Sequence, residues 1–450
     1  MKLAFAVAVS LLPLAAQETR VIGYAQDGKT VIQAQIAAGY RGVGGTLAIA
    51  GLEGIEARSK SSADVTITLA NPLKATLQFP PTGVPYREHA ESWVLWRWIE
   101  LHAPRQIVFA GDAGGLREAL GKLMSSEEVA RRQARTPQQF AAELAKFYGH
   151  DFNQVTYLPG MALISQMRLG NTDEVAKLAE PYLQPGKDPL ARASSLTLAG
   201  HMVFAELAKR TKDPRYVALV KKVGELGFDE SGAMRESMPL HGEMSDSYFM
   251  AGPITATAGT LTGDQKYFPM VARHFHFMDK LVLRSDGLYR HSPLVDTAWG
   301  RGNAFAALGM ALALSEFPKD QADRGYIVES VRRQMSMLAR FQDADGMWHN
   351  IIDEPGSYPE TSATAMIATA MLRGIHDGWL PAAEYQPRVD RAWKAVLART
   401  ASDGTILDVC ESTNKQATRE DYLHRAALTG KDERGGGMLL LFATEMMGLR

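Results

Sequence analysis

The sequence predicts an all-α (α/α)6 barrel preceded by a small α/β domain. Three observations carry that reading: a change of hydrophobic period between about residues 120 and 137, a phrase that recurs at nearly constant spacing, and a strongly apolar final segment. Over 18–120 the chain alternates short apolar runs with turns. TVIQAQIA, TLAIAG, DVTITL and QIVFAG read as strands, and HAESWVLWRWIEL, just before the last of them, reads as a helix. From 137 onward almost every segment repeats its apolar residues at helical spacing. Helices are expected near 137–148, 158–169, 192–210, 213–226, 246–260, 264–282, 302–315, 323–342, 360–374, 383–399 and 435–448.

Between those helices a phrase recurs: ESGAMRES from 230, SDGLYRHS from 285, DADGMWHN from 343 and SDGTILDV from 402. Their glycines, 232, 287, 346 and 404, are 55, 59 and 58 residues apart, which is two helices per repeat. The helical part holds between five and six such hairpins. Six hairpins close into a toroid, whereas an open solenoid needs polar caps at both ends. The last segment, GGGMLLLFATEM, has the composition of a helix docked into a ring rather than of a polar cap. Asp286, Asp345 and Asp403 in these phrases read as turn formers; His291 and His349, which follow two of the turns, sit near Tyr289 and Trp348.

Composition bounds the function. With 49 basic and 50 acidic residues in 450, and no long single-sign block, no nucleic-acid or anionic-membrane partner is expected. MKLAFAVAVSLLPLAAQE reads as a secretory signal peptide over 1–16, followed by an α/β domain over 17–125 and the barrel over 130–450; export, periplasmic or secreted, is the expectation, with no membrane insertion. The single cysteine, Cys410, precludes an internal disulfide. No metal and no cofactor are expected. The eleven histidines contain no HExxH, His274 and His276 stand two apart on a helix, and GYRGVGG and ERGGG lack the strand-then-helix setting of a phosphate loop.

Two stretches offer chemistry. DTAWGRGNAF (296–305) sets Trp299, Arg301 and Asn303 among glycines at a helix start: a flat ring, a guanidinium fork and an amide where backbones can approach closely. That suits a planar anionic ligand, or an ordinary loop-to-helix junction. His241, Glu243 and Asp246 gather at another helix start, where Ser245 or Asp246 is either an N-cap or a carboxyl facing the cavity of the ring. Glu360, in YPETSATAM, reads as a cap.

Taken together, AWGRGNAF, DGLYRHS, FQDADGMWHNIIDEPGSYPETSATAM, DSYFMAGPI with LTGDQKYF, and CESTN resemble, in order over about 150–450, the unsaturated rhamnogalacturonyl hydrolases of glycoside hydrolase family 105, with the unsaturated glucuronyl hydrolases of family 88 as relatives. The resemblance implies an (α/α)6 barrel and an oligosaccharide substrate with a C4=C5 double bond in its terminal uronic acid. It also implies one carboxylic acid that protonates C4 and then activates the water adding at C5, without metal or nucleophile. Carried over by motif, that acid is Asp246. Trp299 and Arg301 fall on the pair that holds the unsaturated sugar, with Arg301 able to clasp its carboxylate. His291 and His349 fall on histidines lining the cleft, and Asn303 is a further match. His241 is added only because it lies close to Asp246. The chain departs from the family at RASSLTLAGHMVFAELAKRTKDPRY, which offers no second Asp on the earlier inner helix. Either another group such as Glu243 substitutes, or the substrate differs, or the barrel binds carbohydrate with weak or no turnover. The N-terminal part faintly resembles the zinc carboxypeptidase and aspartoacylase type of domain, but GLEGIE holds no metal-binding His, so it is expected to be non-catalytic.

Overall fold

The computed structural model describes residues 18–40, 42–50, 64–68, 77–109 and 115–449. The signal peptide expected at 1–16 and the GLEGIE stretch lie outside the described residues. The chain divides into two compact units, Met1–Pro81 with Glu91–Ser126, and Thr82–Ala90 with Glu127–Arg450.

The first unit is a mixed sheet with helices. Its strands are β1 Glu18–Tyr24, β2 Val31–Ile36, β3 Thr46–Ala50, β4 Val65–Thr68 and β5 Gln106–Val108, in the order β1-β2-β4-β3-β5. The β1/β2 and β2/β4 pairs are antiparallel and the two pairs made by β3 are parallel. Strand β2 alternates exposed and buried residues, which is the period-2 signal that makes it legible. Strand β1, which the sequence reading did not list, buries only Gly23 fully and therefore shows no such alternation. Helix α1, Ala90–His102, packs so tightly on that edge that a side chain at Gly23 would meet Val94 Cγ2 at 2.3 Å. A short helix, α2 Leu116–Ala119, follows β5.

The second unit contains α3 Ser126–Gln133, α4 Pro137–Leu144, α5 Tyr157–Arg168, α6 Thr172–Ala179, α7 Ser195–Gly200, α8 Met202–Thr211, α9 Pro214–Glu225, α10 Ser247–Thr262, α11 Tyr267–Val282, α12 Gly300–Glu316, α13 Arg324–Arg340, α14 Thr361–His376 and α15 Ala382–Ala398. A small antiparallel ribbon, β6 Ile406–Cys410 and β7 Ala427–Gly430, brackets α16 Arg419–Leu423, and α17 Glu433–Met446 ends the unit. The inner wall is a closed ring: α5 touches α7, α7 and α8 touch α10, α10 touches α12, α12 touches α14, α14 touches α17, and α17 returns to α5. The outer layer is α6, α9, α11, α13, α15 and α4, packed on α5, α8, α10, α12, α14 and α17 in turn, with α9 also touching α10. This is the (α/α)6 barrel. Helices α10, α12 and α14 are buried on nearly every side, while the outer helices keep one polar face, the contrast expected when one layer is enclosed by another.

The recurring phrase builds one local structure four times. Gly232, Gly287, Gly346 and Gly404 all have φ between 82° and 97°, a region that favours glycine. Around them Asp229, Arg284, Asp343 and Ala401 donate N–H bonds of 2.8–2.9 Å to the carbonyls of Ala233, Leu288, Met347 and Thr405. Asp286 and Asp403 accept the N–H of Leu288 and Thr405, as turn formers do. In the third repeat the bond to the Met347 N–H comes from Asp343, two residues before Asp345.

Several details differ from the sequence reading. The helix expected over 192–210 breaks at His201 into α7 and α8. Helix α6 was not foreseen, because it is short and buries only Val175 and Ala179. Segment Thr82–Ala90, expected within the first domain, groups with the barrel, where Tyr86 stacks on Tyr358 at 5.2 Å.

The inner helices run in one sense. Their C-terminal halves gather around a cavity of about 290 Å³ lined by Arg168, Glu206, Lys209, Glu316, Arg373 and Asp377. Arg168 and Arg373 share buried Glu445 at 3.3 and 2.6 Å, and Lys209 pairs with Glu316. Cations suit that end, where helix carbonyls converge. The N-terminal ends of α5, α10, α12, α14 and α17 lie at the other.

Candidate active site

Glycines at the head of α12 draw two chain segments together. A Cβ on Gly300 would lie 2.3 Å from the carbonyl oxygen of His349, and the Gly300 N–H donates to Asn350 O at 2.7 Å. A Cβ on Gly302 would lie 2.7 Å from Ser245 Oγ and 3.5 Å from the His291 ring. The two glycines of WGRG thus admit the 349–350 backbone on one side and the segment carrying Ser245 and Asp246 on the other.

Asp246 occupies the N-cap position of α10, yet its side chain makes no capping hydrogen bond. Its Oδ1 instead faces His291 Nε2 at 3.3 Å, and the side chain is 14% exposed. Neither atom makes a hydrogen bond among the described residues, so the two are close without hydrogen-bond geometry between them. His291 is fully buried; its Nδ1 lies 2.7 Å from the Tyr422 hydroxyl and its ring 4.4 Å from Trp299. The Arg301 guanidinium packs over Trp299 at 4.7 Å. Burial disfavours the Arg301 charge, but neighbouring Cys410 and Glu360 more than offset this and raise its pKa above the ordinary value. Asp246, His291, Trp299 and Arg301 therefore form one contiguous cluster.

The remaining expected residues are placed differently. Asn303 is committed to structure: its Oδ1 accepts the Tyr289 N–H, and its Nδ2 donates to the carbonyls of Tyr289 and Trp299. His349 is likewise engaged on both nitrogens, with Ser357 O at 2.5 Å and Asp343 Oδ2 at 3.0 Å. His241 is half-buried against Phe277, its Nδ1 accepts the Glu243 N–H, and burial lowers its pKa. The indole of Trp299, expected as an open flat face, is 1% exposed and donates to Asn350 Oδ1. The Arg301 fork, expected to be open to a carboxylate, donates from NH1 to Cys410 O and from NH2 to Glu411 O, both at 2.6 Å. Glu360 caps α14, as read, and is treated below. Glu243, the candidate substitute for the missing Asp, is exposed and pairs with Lys415 at 3.2 Å.

Three residues at this site escaped sequence reasoning. Tyr157, at the head of α5, feels both Arg301 and Asp246; burial, more than either, pushes its phenol up to about 12. Asn350 bridges Trp299 and the Tyr422 carbonyl. Tyr422 arrives from α16, 131 residues beyond His291. Asn350 adjoins a recurrent phrase and was findable; the other two carry no local signal.

Residues 141–449 match the family model described as Glycosyl Hydrolase Family 88. Over 262 residues the chain is 34% identical to the unsaturated rhamnogalacturonyl hydrolase YesR of Bacillus subtilis (strain 168), covering 54% of this chain and 73% of that protein. A shorter match, 30% over 110 residues, is to an unsaturated 3S-rhamnoglycuronyl hydrolase of Formosa agariphila, covering 24% of this chain and 29% of that one. Among solved structures, a family 105 glycoside hydrolase of C. acetobutylicum ATCC 824 shares the fold with a TM-score of 0.60 at 17% identity, over 69% of this chain and 99% of the other. By its sequence over the barrel, this chain belongs to glycosyl hydrolase family 88.

Proposed function

We propose that the protein removes the terminal C4=C5-unsaturated uronic acid from lyase-cut oligosaccharides of the rhamnogalacturonan type. The observation that carries the reading is Asp246: a carboxyl at the head of an inner helix, not used as a cap, with one oxygen set against a buried histidine. The double bond is an enol ether. Asp246 protonates C4, positive charge develops at C5 and the ring oxygen, and the carboxylate so formed takes a proton from the water that adds at C5. The resulting hemiketal opens and frees the neighbouring sugar. The N-termini of α10 and α12 beside the site favour a ligand bearing a carboxylate. The named activities of YesR and of the Formosa relative support the same substrate class. The reading includes export, supported by the sequence of 1–16 and checked by N-terminal sequencing of the mature protein.

Among the described residues no second carboxylate pairs with Asp246, which favours one competing reading, a barrel that binds such sugars without turning them over. Ultraviolet absorbance of the double bond separates the two. Wild-type protein should abolish the absorbance of unsaturated rhamnogalacturonan disaccharides while Asp246→Asn leaves it intact. Saturable binding with no loss of absorbance on any lyase product would select the binding protein instead.

A further inference from the structure

We propose that Tyr422 is a positioning residue that sets the tautomer of His291 and thereby decides which oxygen of Asp246 carries the acid proton. The inference rests on the hydrolase reading only where it concerns rate; the tautomer itself is a property of the free protein.

Tyr422 is fully buried on α16. Its phenol oxygen accepts the Gln416 N–H at 3.2 Å. With its oxygen so engaged, the phenol directs its own hydrogen to His291 Nδ1 at 2.7 Å. Burial first, and Asp246 further, push this phenol up to about 12, so it keeps that hydrogen at any working pH. A neutral imidazole that accepts at Nδ1 carries its proton on Nε2. Nε2 faces Asp246 Oδ1 at 3.3 Å, and the ring cannot turn away. The His291 backbone bonds Ser245 N–H at 2.9 Å and Thr297 O at 3.1 Å, and Trp299 lies across the imidazole.

Nε2 lies 3.3 Å from Oδ1 without hydrogen-bond geometry between them; a proton on that nitrogen still disfavours one on the nearer oxygen, which leaves Oδ2 to carry the acid proton toward a substrate. After transfer to C4 the same N–H stabilises the carboxylate that must accept a proton from water. The opposite tautomer would present a lone pair to Oδ1 and draw the acid proton toward the imidazole, away from the sugar. In a chain without the family's second Asp, this Tyr422–His291 pair is the group that orders the proton on Asp246.

The test is nitrogen-15 NMR of histidine-labelled full-length protein, with the His291 signals assigned by their loss in His291→Gln. Wild type should show an unprotonated Nδ1 and a protonated Nε2, and Tyr422→Phe a mixture of tautomers. In Tyr422→Phe, kcat should fall about 10- to 100-fold, within the range that positioned proton transfer contributes, while KM changes less than about threefold. A protonated Nδ1 in wild type overturns the proposal, as does a Tyr422→Phe that keeps both tautomer and kcat. The wild-type spectrum decides even if the variant does not fold. Absence of turnover in wild type counts against the hydrolase reading and leaves the tautomer result standing.

Discussion

Three inner helices of the barrel begin at an acidic N-cap, and those of α10 and α14 behave in opposite ways. Glu360 at the head of α14 is wholly buried and saturated: it accepts the N–H groups of Ser362 and Ala363, the Ser362 hydroxyl and the Cys410 N–H, and lies 3.8 Å from Arg301. Asp246 at the head of α10 makes none of the bonds its position allows. A carboxylate held by four donors is structural; one whose cap donors are left to others is available for chemistry. Position on a helix does not distinguish them, and only the hydrogen-bond inventory does.

That contrast can be broken by exchange of roles. Asp246→Asn should lower kcat by roughly 10²- to 10⁴-fold with little change in melting temperature; a loss of fold instead would make Asp246 structural after all. Glu360→Ala should behave inversely, losing about 3–5 kcal/mol in urea unfolding because Arg301 and several N–H groups lose their partner. Other committed polar groups should likewise answer in stability. Burial, the leading cause, depresses His201 and His274 to about 4, so the unfolded chain binds more protons below its own value near 6.5. Stability is then level above about pH 7 and falls from pH 6.5 to 4, each histidine contributing on the order of 2–3 kcal/mol; replacing both with Gln should flatten the curve of unfolding midpoint against pH. Gly302→Ala tests the contact between the two helix heads: its Cβ forces Ser245 or Trp299 to shift, with a cost of about 1–3 kcal/mol and a drop in kcat larger than in KM. The smallest effect belongs to His241→Ala, within about 0.5 kcal/mol in stability and less than about threefold in kcat, because the half-buried imidazole touches neither Asp246 nor Arg301 in any hydrogen bond.

The ring of hairpins was legible because it repeats: four glycines at positive φ, spaced by one hairpin each, are a backbone requirement written four times. Strand β1 and helix α6 were not, since each buries too few side chains to impose a period. At the site, Asp246, His291, Trp299 and Arg301 could be picked out from motifs, and they do converge. What a motif could not convey is commitment. Asn303, His349 and Arg301 all match, yet each is bound within the protein, a fact decided by Tyr289, Ser357, Asp343 and the carbonyls of Cys410 and Glu411 rather than by the motif itself. Tyr422 was invisible for a related reason: its partner is far away along the chain, and α16 is a single turn with no periodic signal.

The pairing of α4 with α17 sets a timetable for biosynthesis. Trp393 of α15 lies edge-on to Phe140 of α4 at 5.4 Å and to Phe442 of α17 at 5.3 Å, so the seam of the ring joins residues from both ends of the barrel sequence. Roughly 290 residues separate Leu144 from Glu433, and at ribosomal speeds of about 5–20 residues per second the early helix waits on the order of 15–60 s for its partner. During that interval the nascent ring is an open arc with its apolar lining uncovered. Closure of the ring therefore waits on α17, and truncations that remove α17 should yield aggregates rather than shortened enzymes.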